Sequence, residues 1–302
     1  MEPLLLHHHL AKNAGSSLGQ VIRANYGPGE LYENYQLTPS IDGRQWWREW
    51  YGSLDEQRRA HLRCVGSHTV QFLFPVVCDR PVTAFTMLRD PVERVRSLYN
   101  HALWQQRRRR TAGQPLHREL LANAILERRW TLKDIYRELG GRDAASVPLV
   151  FRIFFNGQTR ELLANTDAVT TLPLTTGADL EQHRRLVLDL LSERYVVGTQ
   201  DRFSQSVRLF AERFAWPQAF LPRANVATGD RGGVEIDAET RELARAYNPL
   251  DAELHERYAE RLNSLPPVSG LSQTRARARR QLSRTMGGVR RRLRPGRAAE
   301  GS

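Results

Sequence analysis

Three short stretches of the 302-residue chain hold side chains whose types and spacing suit binding an anion and moving a proton. The first runs Ala11-Lys12-Asn13-Ala14-Gly15-Ser16-Ser17-Leu18. Small residues let the backbone come close to a ligand, and a following helix offers unpaired N–H groups at the positive end of its dipole. Lys12, Ser16 and Ser17 complete such an anion site, although the stretch also reads as a plain strand-to-helix turn with a surface lysine. The second is Gly66-Ser67-His68. Histidine titrates near neutrality and suits proton transfer, even though most histidines in a chain are structural or solvated. The third runs from Arg89-Asp90-Pro91 to Ser97, a strand ending in arginine, an Asp-Pro helix start, and a serine eight residues on. Arg89 presents a planar fork suited to phosphate and Ser97 adds a short donor. The competing reading is a helix-start ion pair of Arg89 with Asp90 or Glu93.

Each stretch needs a strand to end where it begins. Pro3–Leu10, Leu62–Gly66, Val82–Leu88 and Tyr195–Gly198 are short apolar runs and predict strands. Helical spacing is clear in Leu18–Asn25 (Leu18, Val21, Ile22) and in Val92–Trp104 (Val92, Val95, Leu98, Tyr99). Further helices are expected near 117–128, 132–139, 149–164, 178–193, 203–214, 237–246 and 250–262. Trp46, Trp47, Trp50 and Tyr51 fall at helical spacing and read as packing. Tyr26–Ser40 and Arg107–Gly113 read as loops, the first for Gly27-Pro28-Gly29. Apolar strands alternating with amphipathic helices predict an α/β fold with a central, mostly parallel sheet flanked by helices. In such sheets ligands bind beyond the C-terminal strand ends, where all three stretches fall.

The net charge of +12 invites a nucleic-acid reading, but its distribution weakens it. Leu271–Ser302 holds ten arginines and one acid, for +9, which leaves +3 for the first 270 residues. The expected organisation is one domain over 1–268 and a basic tail over 269–302. Within the tail Leu282, Met286, Val289 and Leu293 form a helical stripe that could lie on an anionic membrane or polymer. Disorder is the default reading of its charge and low hydrophobicity. Only Lys12 and Lys133 are lysines, and neither follows glycine, which excludes a Walker A loop. Cys64 and Cys78 lack metal or redox spacing and read as packed, reduced thiols of a cytoplasmic protein. Met1–His9 lacks a basic n-region and is not expected to be a secretory signal.

Two of the stretches resemble a known family. His9-Leu10-Ala11-Lys12-Asn13-Ala14-Gly15-Ser16-Ser17-Leu18 resembles the 5′-phosphosulfate loop of sulfotransferases. The closest form is that of the carbohydrate sulfotransferases that include heparan sulfate 2-O-sulfotransferase and its bacterial relatives. Ala11 stands where that loop usually has proline, and Asn13 where it has threonine. Leu88-Arg89-Asp90-Pro91-Val92-Glu93-Arg94, with Ser97 and Tyr99, resembles the 3′-phosphate motif of the same family. Weaker echoes follow in family order: Asn156–Leu162, Val196–Phe203 with Asp201 for glutamate, Arg223-Ala224-Asn225-Val226, and Asn248–Asp251.

The resemblance implies a P-loop-like three-layer sandwich and transfer of a sulfuryl group from 3′-phosphoadenylyl sulfate (PAPS) to a hydroxyl, in line. The acceptor it implies is a carbohydrate or a glycosylated small molecule. Lys12 and residues Asn13, Ala14, Gly15, Ser16, Ser17 and Leu18 would then bind the phosphosulfate, with Lys12 stabilising the departing oxygen. Arg89 and Ser97 would hold the 3′-phosphate and Arg223 would add to the donor site, while Arg94 suits a helix-face ion pair. His68 would be the general base and His9 would order the loop, with His7 and His8 as sheet residues. No metal is expected to be required. Arg107–Arg110 falls where an acidic acceptor could be recognised, or is a solvated run. Two other classes stay open. Gly15-Ser16-Ser17-Leu18-Gly19 satisfies the G-x-S-x-G elbow of α/β serine hydrolases, with Ser17 as nucleophile, although too little chain precedes it for the usual oxyanion loop. A non-enzymatic polyanion or membrane binder is the other, with no specific nucleic acid expected.

Overall fold

The computed structural model describes residues 2–35, 41–111, 125, 127–164, 180–217 and 234–265. Five strands form one sheet: β1 Leu4–His8, β2 Leu31–Asn34, β3 Cys64–Ser67, β4 Val82–Leu88 and β5 Tyr195–Thr199. Their order is β2-β3-β1-β4-β5, and every pair is parallel. Alternate residues of β1 serve the two faces. Leu4 and Leu6 pack with Trp47 and Tyr51 of α2 (Ile41–Ser53), and their core extends to Val187 and Leu191 of the helix at Leu180–Arg194 and to Leu254 and Tyr258 of the helix at Pro249–Asn263. Leu5 instead joins Leu18, Val21 and Ile22 of α1 (Gly15–Asn25) and Val207 and Phe210 of the helix at Phe203–Arg213. The result is an α/β three-layer sandwich with a parallel sheet buried on both faces.

A third core lies beside the sheet. Val92, Val95 and Leu98 of α4 (Pro91–Thr111) pack there with Leu132, Ile135 and Leu139 of α5 (Leu132–Leu139), with Phe151 of α6 (Leu149–Arg152) and with Ala244 of the helix at Ala238–Ala246. Chain order reverses direction across the sheet between β1 and β4, so the crevice outside the C-terminal ends of those strands is the expected ligand site.

Four expectations need correction. The stretch read as loop from Tyr26 contains β2, a four-residue edge strand that is half-exposed throughout and so lacks an apolar run. Arg107–Arg110 lies on the backbone of α4, which continues to Thr111 and is not a loop there. The helix expected at 149–164 is broken into α6 and α7 (Gly157–Leu162) at Asn156, whose φ of 47° is left-handed. Cys78 is exposed, and only Cys64 is packed. Most of 117–128, Arg223–Val226 and the tail 269–302 lie outside the described residues. Further helices among the described residues are α3 (Glu56–His61), α8 (Leu180–Arg194), α9 (Phe203–Arg213), α10 (Ala238–Ala246) and α11 (Pro249–Asn263).

Candidate active site

The loop after β1 turns back on itself through two left-handed residues, Lys12 (φ 69°) and Ala14 (φ 60°). Such a conformation is disfavoured for a residue with a Cβ and persists only where the surroundings fix it. Asn13, between them, is fully buried and does the fixing. Its side-chain amide donates to the Met87 carbonyl (2.8 Å) and to Gln158 Oε1 (2.5 Å). Ala14 then starts α1 without a side-chain cap. Its carbonyl accepts the amides of Ser17 and Leu18, both at 3.0 Å, and Leu18 is core. No bond among the described residues uses the amides of Gly15 or Ser16, which leaves these N–H groups to an anion at the helix N-terminus. The small-residue loop thus leaves the Gly15 and Ser16 amides unbonded among the described residues, while Asn13 and Leu18 hold its shape.

Arg89 follows β4, the neighbour of β1. Gln158 fixes its backbone by a two-way bond: the Arg89 amide donates to Gln158 Oε1 and Gln158 Nε2 donates to the Arg89 carbonyl, both at 2.9 Å. Arg89 Nη1 donates to the Lys12 carbonyl at 3.0 Å, and its Nε and Nη2 have no partner among the described residues. The competing ion pair with Asp90 or Glu93 does not form; Asp90 instead caps α4 by accepting the Glu93 amide. Burial lowers the Arg89 pKa from its ordinary value. The guanidinium is therefore partly desolvated, anchored on the first loop and still able to fork onto an oxyanion. Ser97 is half-buried two turns into α4.

Arg94 is completely buried and is not on an exposed helix face. It pairs with Glu161 and donates to the carbonyls of Ala11 and Ile153. Glu161 also accepts the Ala11 amide at 2.9 Å. A buried ion pair is a registering device where its remaining groups are satisfied. Here it ties α4 and α7 to the first loop.

His68 follows β3, on the other side of β1. Its Nδ1 lies 2.5 Å from the His9 carbonyl, which can only accept, so Nδ1 carries a proton and the lone pair of the neutral ring falls on Nε2. The ring stacks on His9 (centroids 4.5 Å, 24°), and His9 stacks on His7 (5.7 Å, 11°). Tyr35, just beyond β2, meets the edges of His9 (5.0 Å) and His68 (5.7 Å). Burial holds His7 well below the usual histidine pKa and takes His8 and His9 down to about 3.

The loop between β1 and α1 thus carries the other two stretches on its own carbonyls, His68 on His9 and Arg89 on Lys12. Ser17 lies within regular α1, and the left-handed residues are Lys12 and Ala14, which is not the strained serine turn of a hydrolase elbow. Among the described residues no group of three His, Cys, Asp or Glu side chains is placed to hold a metal ion, and no helix is long and apolar enough to cross a membrane. A cavity of about 580 Å³ lined by Tyr32, Trp50, Leu54 and Leu62 lies at the other ends of β2 and β3. Sequence reasoning missed the supporting roles of Gln158 and Glu161, although the Asn156–Leu162 segment that carries them stood out as a motif. It also missed Tyr35, which no pattern marked. No protein-family model and no curated protein matches the chain.

Proposed function

We propose that the chain is a sulfotransferase that uses PAPS as donor and a hydroxyl of a carbohydrate or glycosylated small molecule as acceptor. The observation that carries this reading is the convergence of the Gly15/Ser16 amides, Arg89 and the Nε2 lone pair of His68 on one loop at the ends of three adjacent strands. Donors for an anion and an imidazole in one crevice suit group transfer from an anionic donor to a hydroxyl. The donor supplies the sulfuryl group. The Gly15 and Ser16 amides and the Lys12 ammonium would bind its phosphosulfate end, and Arg89 with Ser97 would hold a 3′-phosphate. His68 Nε2 would accept the acceptor's hydroxyl proton, and the His9 carbonyl would stabilise the imidazolium through Nδ1–H. A cytoplasmic location belongs to the same proposal, supported by two unpaired cysteines.

Calorimetry with 3′-phosphoadenosine 5′-phosphate, AMP and an Arg89→Ala variant tests it. Binding that requires both the 3′-phosphate and Arg89 is expected. Equal affinity for AMP would overturn the donor assignment and return the polyanion-binder reading, which predicts strongly salt-dependent binding without turnover.

A further inference from the structure

The imidazole of His9 occupies the gap between the donor loop and the proposed base. On one side its Nε2 falls almost where a Cβ on Gly15 would stand, so the ring rests directly against the first residue of α1. On the other side it stacks on His68. Its Nδ1 is buried with no partner among the described residues, which is an unfavourable place to put a second proton. Burial, with the Lys12 charge beside it, keeps the His9 ring in its neutral form.

The column is braced from the edge of the sheet. His7, which stacks on His9, also stacks on Phe85 (5.2 Å). His7 Nδ1 lies 3.3 Å from the Tyr35 hydroxyl, which donates to Glu33 Oε1 at 2.8 Å. Since that hydroxyl proton is committed to Glu33, His7 Nδ1–H is the donor to Tyr35. Both carboxylate oxygens of Glu33 in turn accept from Arg23 of α1 (3.0 and 2.9 Å). Gly66 leaves room for this chain, because a Cβ there would stand 2.7 Å from the Tyr35 hydroxyl. The helix whose N-terminus faces the anion therefore supports Tyr35 through its last turn and touches His9 through its first.

We propose that His9 is a positioning residue that couples the anion loop to the base, holding the His68 ring in the plane and tautomer that present Nε2 to the acceptor. Its catalytic consequence rests on the assignment of His68 above. The structural consequence does not, because the His68 tautomer can be read without turnover. A neutral aromatic ring at position 9 is what the stack needs, so phenylalanine is the conservative replacement there and alanine the disruptive one. Gly15→Ala approaches the same gap from the other side and must displace the His9 ring or the helix start.

The test is long-range ¹H–¹⁵N NMR of the histidine rings in the full chain, together with steady-state kinetics. The wild type is expected to show His68 as the Nδ1–H tautomer. His9→Ala and Gly15→Ala are expected to mix the two tautomers, and His9→Phe to keep the wild-type pattern. With donor and acceptor in hand, His9→Ala is expected to lower kcat about tenfold or more, the scale on which outer supports of a reacting group act, with donor Kd within about twofold. His9→Phe should restore most of that loss. An unchanged His68 tautomer in both His9→Ala and Gly15→Ala overturns the coupling, as does a His9→Phe variant as impaired as His9→Ala. Absence of turnover in the wild type with the tautomer behaviour intact would remove the sulfotransferase reading and leave the coupling standing.

Discussion

The side-chain amide of Gln158 and the backbone of Arg89 form a closed two-bond pair, each bond 2.9 Å, of the kind that two strands make with one another. Gln158 is fully buried and also accepts from Asn13. One side chain on α7 therefore sets the positions of both proposed phosphate-binding stretches. Gln158→Leu keeps the volume and removes every one of these bonds. Buried groups left unpaired cost about 1–3 kcal/mol each, so a loss of about 2–3 kcal/mol in unfolding free energy is expected by urea titration. Affinity for 3′-phosphoadenosine 5′-phosphate is expected to fall about 10–100-fold. A stable Gln158→Leu variant with wild-type nucleotide affinity would show that the two stretches do not depend on this bridge.

His68→Ala removes the imidazole whose Nδ1 is held by the His9 backbone carbonyl. With sulfuryl transfer as the assay, kcat is expected to fall about 10²–10⁴-fold, the usual range for loss of a general base, while nucleotide affinity is unchanged. Near-full activity in this variant would place the proton acceptor elsewhere.

The three histidines of β1 and its exit make the fold acid-sensitive. Burial takes His8 and His9 to about 3 from 6.5, and lowers His7 in the same direction. Their unfolded forms bind protons that the folded forms refuse, so stability is fully present above about pH 6.5 and declines as pH falls toward 3. Each such histidine contributes a slope of about 1 kcal/mol per pH unit in that window. Urea midpoints measured from pH 7 to pH 5 are expected to drop steeply, and His8→Gln to flatten the slope by about one proton. A midpoint that rises on acidification would mean that these rings are charged in the folded protein.

The strands that position the site were legible because β1, β3 and β4 are buried runs whose apolar character needs no partner to be seen. Edge strand β2 was not, because all four of its residues are half-exposed and, among the described residues, its one sheet partner is β3. Lys12, Arg89 and His68 could be picked out by type and position. The polar side chains that hold the first loop and Arg89, namely Asn13, Gln158 and Glu161, could not be given their roles. A polar residue reads as surface until the groups that satisfy it are known, and those partners lie 67 residues or more away in the chain. The break at Asn156 escaped notice for the same reason, since the groups that stabilise it come from α11.

Those groups make a reciprocal cap. Asp251 accepts the amides of Gln158 and Thr159 (both 2.9 Å) and the Thr159 hydroxyl (2.8 Å), which satisfies the first turn of α7. Asn156 Oδ1 accepts the amides of Leu250 (3.0 Å) and Asp251 (3.4 Å), which does the same for α11. Each helix start thus receives its cap from the other, and all four residues Asn156, Gln158, Thr159 and Asp251 are fully buried. Asp251→Ala leaves three buried donors unpaired and is expected to cost about 3 kcal/mol or more, among the larger single-site losses. Asn156→Gly keeps the left-handed backbone and removes the side chain that caps α11, so its loss should be nearer 1 kcal/mol, the usual value of a cap. Because the two caps support one junction, the double variant should lose less than the sum of the singles, by about 0.5 kcal/mol or more. Strict additivity in urea unfolding would show that α7 and α11 are capped independently.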